Sequence, residues 1–285
     1  MLFPKGDPTI RNTMLLCASL AVSNTGAVLI MTVTALAGAY LARPEVMYSL
    51  PLIGTFSERA LSTLALSMQF IGTMMAAPPA ALLMARIGRR AGFSVGQLIG
   101  FGAAGLATYA LFDQNFWLFV LAGFLIGFHN AFWQQFRFAV ADTASAEFKP
   151  KAVSYVMIGP LVAGIFGPEI AKHTRDIFAP VLFAGAYVSV ATLALFAVGI
   201  LQFIRIPTPP RRKKGDSTGR SFKQLAQDPK FVIAVLAGMV GYSSMSFMMT
   251  ATPLAMIDCG HLFDDAAFVI QGHVIAMFAP SFFTG

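Results

Sequence analysis

The polar side chains that could bind a solute are concentrated in one apolar stretch of the chain. Four of them are spaced i, i+3, i+4 and i+7: Asn130, Trp133, Gln134 and Arg137. This spacing places all four on one face of an α-helix. A charge that faces lipid is costly, so the pattern predicts a face that lines a water-filled cavity. Arg137 would attract an anionic group there, with Asn130 and Gln134 supplying hydrogen bonds. Alternatively, Arg137 lies near the membrane interface and extends to lipid phosphate.

Asn24 and Tyr242 are two further candidates, because they occupy equivalent positions in the internal repeat described below. Polar residues at matching mid-membrane positions of two repeats are candidate substrate contacts. The adjacent Thr25 and Ser243 are weaker candidates. Hydroxyl groups in membrane helices more often bond the preceding turn or a neighbouring helix.

Few titratable side chains lie within the apolar stretches, so the sequence says little about energy coupling. Glu169 and His129 are weak candidates for a coupling residue, since either could exchange a proton. His129 could equally be a packing or cavity-lining residue. A uniporter, or an exchanger driven by its substrates, is compatible with the same residues.

The sequence contains no pattern typical of an enzyme. It lacks the Gly-x-x-x-x-Gly-Lys phosphate loop, a serine nucleophile motif and clustered His and Cys residues. Cys17 and Cys259 form neither a metal-ligand spacing nor a disulfide framework. We therefore predict that the protein is not an enzyme and uses no cofactor or metal ion.

The elements that must position these residues are membrane-spanning helices. Hydrophobic residues make up 56% of the 285 residues and charged residues only 12%, with a mean hydropathy of +0.70. The apolar runs are about 20 residues long, enough to cross about 30 Å of hydrocarbon as a helix, and they do not alternate as barrel strands do. We predict an all-α polytopic membrane protein with spans near 13–40, 62–84, 91–112, 116–141, 152–172, 178–204, 231–255 and 266–285.

The net charge of +7 indicates topology rather than nucleic-acid binding. When the loops are assigned alternately to the two sides, fifteen Lys and Arg residues fall on one side. Only four fall on the other: Arg43, Arg59, Lys172 and Arg175. Cytoplasmic loops carry the basic excess, so the N-terminus is predicted to be cytoplasmic. We therefore expect the protein to contact membrane lipid and not nucleic acid.

Two sequence blocks repeat along the chain. Residues 30–37 (IMTVTALA) reappear as residues 248–255 (MMTATPLA). Farther along, Gln69 aligns with Gln271, and both are predicted to join neighbouring helices rather than to bind a ligand. Duplicated blocks of apolar helices are typical of solute carriers.

The repeat and a basic, proline-rich stretch divide the chain into three parts. These are a six-helix transmembrane bundle, a cytoplasmic basic linker and the first two helices of a second copy: 1–205, 206–230 and 231–285. The sequence therefore predicts a truncation after the eighth transmembrane helix.

This organisation resembles that of the major facilitator superfamily. The loop after span two in that family usually reads Gly-x-x-x-Asp-Arg-x-Gly-Arg-Arg, and residues 81–90 here read ALLMARIGRR. The basic half is retained as Arg86, Gly88, Arg89 and Arg90. The resemblance implies that these arginines form charge contacts that gate the cytoplasmic side, although they would set the topology in any case.

Spans four and five carry further features of the family. Span five is similar to the glycine-rich stretch of many antiporters of the superfamily, with Gly159, Gly164, Gly167 and Pro168. The glycines permit close helix approach and the proline bends the helix. In span four, Gly123 stands where many members have an arginine. The resemblance also implies that spans one, four and seven face a central cavity.

We therefore predict a secondary transporter that moves a small polar, possibly anionic, solute by alternating access, with a possible co-transported ion. The expected location is a bacterial cytoplasmic (inner) membrane. The alternative is a non-transporting truncated membrane fragment or interaction partner.

Overall fold

Long helices make up almost all of the part of the chain that is described. The computed structural model describes residues 8–42, 48–50, 54–56, 61–143, 152, 155–206 and 221–280. Most of the predicted linker (207–220) and the end of the eighth predicted span (281–285) lie outside these residues.

The helices follow the predicted spans closely. They are α1 (Pro8–Leu41), α2 (Leu64–Ile87), α3 (Arg89–Phe112), α4 (Phe116–Trp133), α5 (Phe136–Thr143), α6 (Ile158–Thr174), α7 (Ala184–Gln202), α8 (Phe222–Ala226), α9 (Pro229–Asp258) and α10 (Phe263–Phe278). A short antiparallel hairpin, β1 (Tyr48–Leu50) and β2 (Gly54–Phe56), follows α1. Six helical stretches in the described residues are long and apolar enough to cross a membrane. The all-α polytopic fold is confirmed, and the small hairpin is an addition to it.

The first repeat is a bundle whose helices approach closely at glycines. α2 packs along α4, α3 packs along α4 and α7, and α1 packs along α6 and α7. A β-carbon at Gly123 of α4 would collide with the carbonyl of Ala65 at the start of α2. Many members of the family that this sequence resembles have an arginine at this position. The close α2–α4 contact therefore requires the glycine found here. Nearby, the Thr73 hydroxyl donates to the Gly127 carbonyl across the same contact over 3.1 Å.

Helix α7, which corresponds to predicted span six, has one buried face and one exposed apolar face. Tyr187 is only 1% exposed, and its hydroxyl lies 2.8 Å from the Thr34 hydroxyl of α1. Its ring packs edge-to-face on Phe119 of α4, with 5.4 Å between centroids. On the other face, Phe196 and Leu195 are exposed. One face of α7 therefore forms a specific contact with α1, and the other face is an apolar surface of the kind that meets lipid.

The second repeat joins the bundle through α9 and α10. α10 packs against α6, where the Gln271 side chain donates to the Ile165 carbonyl over 3.0 Å. This interhelical bond confirms the role predicted for Gln271. Gln69 is buried, and its side-chain oxygen has no partner among the described residues.

The internal repeat is visible in local geometry. Thr32 of α1 and Thr250 of α9 occupy equivalent positions in the two repeated blocks. Each hydroxyl donates to the carbonyl four residues earlier, to Val28 over 2.9 Å and to Ser246 over 2.7 Å. The two helices thus use the same residue type for the same backbone contact.

One end of the bundle carries an excess of basic side chains, and we call it the basic end: Arg86, Arg90, Arg205 and Lys230. The other is called the opposite end. Arg90 reaches the end of α7 there, donating to Gln202 over 3.0 Å. Near it, the Asn12 side chain pairs with the backbone of Arg205 through two hydrogen bonds.

Candidate functional site

The helix of span four is interrupted at the candidate face. The Gln134 N–H still bonds the Asn130 carbonyl over 3.2 Å, but the Gln135 N–H bonds Phe132, three residues back, over 3.1 Å. Arg137 therefore lies on α5, beyond a turn. The hydrogen bonds change from four-residue to three-residue spacing at this turn, so the helix is locally tightened there. The single face predicted for Asn130, Trp133, Gln134 and Arg137 stays a prediction.

Asn130 and Trp133 form a pre-set polar pair on the last turn of α4. The indole N–H of Trp133 donates to the side-chain oxygen of Asn130 over 2.9 Å. This bond fixes the amide so that its NH₂ group faces away from the indole. Gln134, next in the chain, is half-buried, and its side chain forms no hydrogen bond with any described residue. Asn130 is only 6% exposed, so Gln134 offers the more accessible amide for a ligand.

Arg137 and Tyr242 come together across the gap between the two repeats. The Arg137 guanidinium is exposed and lies 5.2 Å from the centre of the Phe138 ring. Its charge lies within electrostatic range of the Tyr242 hydroxyl on α9. The Tyr242 ring packs edge-to-face on Phe70 of α2, with 6.1 Å between centroids. We call the space bordered by Arg137, Tyr242 and Phe70 the central cleft.

Asn24 and Thr25 are adjacent on α1 but differ in their contacts. Asn24 is half-buried, and no described residue forms a hydrogen bond with its side chain. The Thr25 hydroxyl donates to the Ala21 carbonyl over 2.7 Å, which confirms the predicted bond to the preceding turn. The equivalent Ser243 is exposed and forms no such bond within the described residues. Of this pair on α1, Asn24 is therefore the side chain free to meet a ligand.

A cavity of about 330 Å³ lies between α2 and α9, on the opposite-end side of Tyr242. Its walls combine aromatic and aliphatic side chains with hydroxyls: Thr63, Leu66, Ser67, Phe70, Ser246, Phe247, Thr250, Ala251 and Leu254. The Ser246 hydroxyl is shielded from solvent and has no hydrogen-bond partner among the described residues. The cavity thus continues the central cleft with a mixed apolar and hydroxyl lining.

The two weak coupling candidates lie away from the central cleft. His129 is 5% exposed, and its Nδ1 contacts the Gly96 carbonyl of α3 over 2.9 Å. Glu169 pairs with Lys172 on its own helix, with 2.8 Å between the charged atoms. His129 has the position of a helix-packing residue. Within the described ranges, no three His, Cys, Asp or Glu side chains form a group that could hold a metal ion.

The basic loop after span two sits at the junction of α2 and α3. Gly88 has φ +87°, a left-handed conformation that a side chain would strain. Arg90 bonds Gln202 within the first repeat, whereas Arg86 is exposed. Arg89 is half-buried at the first turn of α3. The gating role that the resemblance implies for these arginines stays a prediction.

The glycines of span five lie where α6 meets both α1 and the second repeat. A β-carbon at Gly167 would approach Val28 of α1 to 2.9 Å, and one at Gly159 would approach the Ala21 backbone to 3.2 Å. At Gly164 it would approach Val274 of α10 to 2.7 Å. These glycines therefore permit the close helix packing predicted for them. Pro168 is buried inside α6.

Sequence reasoning missed two residues that the fold places at important contacts. Phe70 meets Tyr242 at the central cleft, and Arg175 meets aromatic side chains of the second repeat. Phe70 is apolar and was therefore not a candidate for solute binding. Arg175 was considered only as one of the basic residues counted in the loops. Both contacts join residues distant in sequence, which hydropathy cannot pair.

Comparison with known proteins decides the family. The sequence profile of the Major Facilitator Superfamily matches residues 13–285. The chain belongs to this superfamily. In a solved structure of an auto-inhibited POT family peptide transporter, 51% of that chain and 93% of this one superpose with a TM-score of 0.51 and 16% identity, which is a likeness of fold.

Relatives of known sequence are transporters by name. The Riboflavin transporter RfnT of Brucella anthropi is 39% identical over 262 residues, covering 90% of this chain and 65% of the relative. The uncharacterized MFS-type transporter YddS of Bacillus subtilis is 32% identical over 220 residues, covering 70% of this chain and 49% of the relative. The chain thus spans between about half and two thirds of the length of these relatives. It is an integral membrane protein of a transporter family.

Proposed function

We propose that this protein is a secondary transporter that moves riboflavin, or a closely similar flavin, across the membrane by alternating access. The observation that carries the proposal is the 39% identity to a riboflavin transporter over 90% of the chain. The proposal refines the expected small polar solute to a flat heteroaromatic ring that bears a polyhydroxyl chain.

The chemistry of the central cleft supports a flavin. Trp133, Phe70 and Tyr242 offer aromatic surface at its border. Ring systems stack on such side chains or meet them edge-on, which favours a flat aromatic solute. The unbonded side chains of Gln134 and Asn24, together with the NH₂ group of the buried Asn130, would bond ring carbonyls or ribityl hydroxyls. A few placed polar groups within an aromatic lining are typical of small-molecule sites.

The contact between the two repeats supports alternating access. Met249 and Pro253 of α9 are buried, and Met249 packs in one apolar cluster with Met31 of α1. A carrier that works by alternating access must break such a contact between its repeats during the transport cycle.

We place the basic end in the cytoplasm of a bacterial cell, with the protein in the cytoplasmic (inner) membrane. The excess of Lys and Arg in the loops at this end favours that orientation. In the outward-facing half of the cycle, Arg86, Arg89 and Arg90 would close the cytoplasmic side. Whether an ion moves with the flavin is tested by imposing proton and sodium gradients separately.

Uptake into proteoliposomes tests the proposal. Purified protein is reconstituted, riboflavin is added outside, and the trapped flavin is measured by fluorescence after rapid filtration. We expect saturable uptake. Excess lumichrome, which retains the ring, should inhibit it, and ribitol, which retains only the chain, should inhibit it weakly. Uptake equal to that of protein-free liposomes would contradict the proposal and favour the non-transporting alternative.

Substitution of Arg137 tests whether the central cleft favours an anionic over a neutral solute. Riboflavin is uncharged near neutral pH, whereas its phosphate ester FMN is anionic. If the exposed Arg137 charge attracts anions to the central cleft, R137Q should weaken inhibition by FMN about two- to fivefold, because an exposed ion contact contributes up to about 1 kcal/mol. Riboflavin uptake should change less than about twofold, below the effect of one net hydrogen bond. Unchanged FMN inhibition would assign Arg137 to the membrane interface.

A further inference from the structure

Arg175 at the end of α6 lies against the second repeat. Its guanidinium carbon is 5.0 Å from the ring centre of Phe263, the first residue of α10, and 6.0 Å from that of Phe183, which precedes α7. Both distances are within the range of cation–π attraction. Phe183 belongs to the first repeat and Phe263 to the second, so one cation touches both.

Arg175 lies between Asp176 and the start of α7. Its Nε is 3.0 Å from the Asp176 carboxylate without hydrogen-bond geometry, and its backbone carbonyl accepts the Phe183 N–H over 2.8 Å. Its side chain is 30% exposed, so the charge beside the aromatic rings is partly shielded from water.

The aromatic rings beneath Arg175 form a small cluster of their own. Phe183 and Phe263 meet at 6.0 Å between centroids, and Tyr40 of α1 meets Phe183 at 6.5 Å. The Tyr40 hydroxyl donates to the Pro180 carbonyl. Phe183 is 6% exposed and Phe263 is 4% exposed. We call Arg175, Tyr40, Phe183 and Phe263 the aromatic clamp.

The aromatic clamp occupies the end at which the repeats are in contact. Met249 of α9, on the clamp side of Tyr242, is 4% exposed and packs in one apolar cluster with Met31 of α1. Contacts that exist only while the opposite end is closed bias the equilibrium toward the inward-facing state. The cation and the two rings must separate when α10 moves away from α6.

We propose that Arg175 and Phe263 form the outer gate of the transport cycle, a cation–aromatic contact that holds the opposite end closed. The proposal rests on the transport function proposed above, but it concerns a contact outside the central cleft. Residues in the clamp set how often the opposite end opens, not which solute is bound.

Thiol accessibility tests the gate without any substrate. Cys17 and Cys259 are the chain's two cysteines, so C17S/C259S gives a cysteine-free background. M249C then places a thiol in the buried contact between the repeats. A membrane-impermeant maleimide added from the opposite-end side labels this thiol only when that end opens.

We expect loss of the clamp to raise the labelling rate of M249C. R175A should raise it about fivefold, the effect of losing one partly exposed cation–π contact. F263A removes the ring contact to Phe183 as well and should raise it at least about tenfold. R175A added to F263A should change the rate less than about twofold more, since coupled residues are not additive.

Two controls separate gating from general loosening. H173A removes an exposed side chain of the same helix that contacts only Glu169 of that helix, and it leaves the Lys172–Glu169 pair intact, so labelling should equal that of the parent. Y242C, on α9 at the ring contact with Phe70 of α2, reports the part of the contact between the repeats that lies toward the basic end. Its labelling from the basic-end side should fall in R175A. A rise at both thiols would mean unfolding and would overturn the proposal.

The remaining outcomes are equally decisive. Unchanged M249C labelling in both R175A and F263A, or an equal rise in H173A, would overturn the gate. If F263A does not fold, F263L keeps apolar volume without the ring and should still raise labelling. Because labelling needs no flavin, a gate that responds as expected together with absent riboflavin uptake would reject only the proposed solute.

Discussion

Met31 and Met249 occupy equivalent positions in the two copies of the internal repeat and are buried in the same apolar cluster between α1 and α9. They are 9% and 4% exposed. Two repeats that meet through equivalent residues are related by an approximate two-fold axis. Asn24 and Tyr242 are also equivalent and lie seven residues earlier in each helix, about 10 Å toward the basic end. The buried contact between the repeats at the methionines therefore lies about two helical turns from the polar pair.

This position predicts that Asn24 contacts the solute. N24A should raise the KM of riboflavin uptake about three- to tenfold, the loss expected for one or two ligand hydrogen bonds. The matched control is T25V on the next residue, because the Thr25 hydroxyl is already bonded to Ala21. T25V should leave KM within about twofold of the parent, which is less than one net hydrogen bond. Equal effects of the two substitutions would remove Asn24 from the site.

The bond between Trp133 and Asn130 gives a second prediction. W133F keeps an aromatic ring but removes the N–H that orients the Asn130 amide. KM should rise about three- to tenfold with little change in apparent melting temperature, since the hydrogen bond is worth about 1 kcal/mol. The chain has one other tryptophan, Trp117, which is 44% exposed at the start of α4.

W117F therefore serves as the control for W133F. It should transport like the parent and retain Trp133 as the single indole. Riboflavin should then quench the remaining tryptophan fluorescence in W117F and quench it much less in W133F. Strong quenching in W133F would place the flavin near Trp117, outside the central cleft.

The sequence predicted the membrane spans well because hydropathy and length decide them. It also predicted the back-bond of Thr25 and the interhelical role of Gln271, which follow from what polar side chains do in an apolar helix. It did not predict the turn after Gln134, since no proline or glycine marks it. Nor did it pair Tyr187 with Thr34. Lipid and protein core are both apolar, so composition does not tell which face of a helix meets protein.

The Tyr187–Thr34 contact predicts an asymmetric effect on stability. The Thr34 hydroxyl donates to the Ile30 carbonyl over 2.7 Å, so the Tyr187 hydroxyl is the donor in their shared bond. Y187F removes one hydrogen bond, leaves no buried donor unpaired and should cost about 1 kcal/mol. T34V leaves the buried tyrosine donor without a partner and should cost about 1–3 kcal/mol.

Thermal unfolding in detergent measures this difference. The apparent melting temperature should fall more in T34V than in Y187F. In the double variant, Y187F should partly restore the stability lost in T34V, because the unpaired donor is gone. A larger loss in Y187F than in T34V would mean that ring packing against Phe119, and not the hydroxyl, is the important contact.

Gly164 gives a final prediction about the contact between the repeats. A β-carbon there would lie 2.7 Å from Val274 Cγ1, and a valine has little rotamer freedom to move aside. G164A should therefore cost about 1–3 kcal/mol from overpacking, even though alanine favours helix by up to about 1 kcal/mol. V274A added to G164A should recover most of the loss, because it removes the atom that collides. G102A, with no atom within 4 Å of its β-carbon, should melt at or slightly above the parent temperature. If G164A and G102A have the same apparent melting temperature, α10 does not contact α6 at this glycine. That result would contradict the close α6–α10 packing.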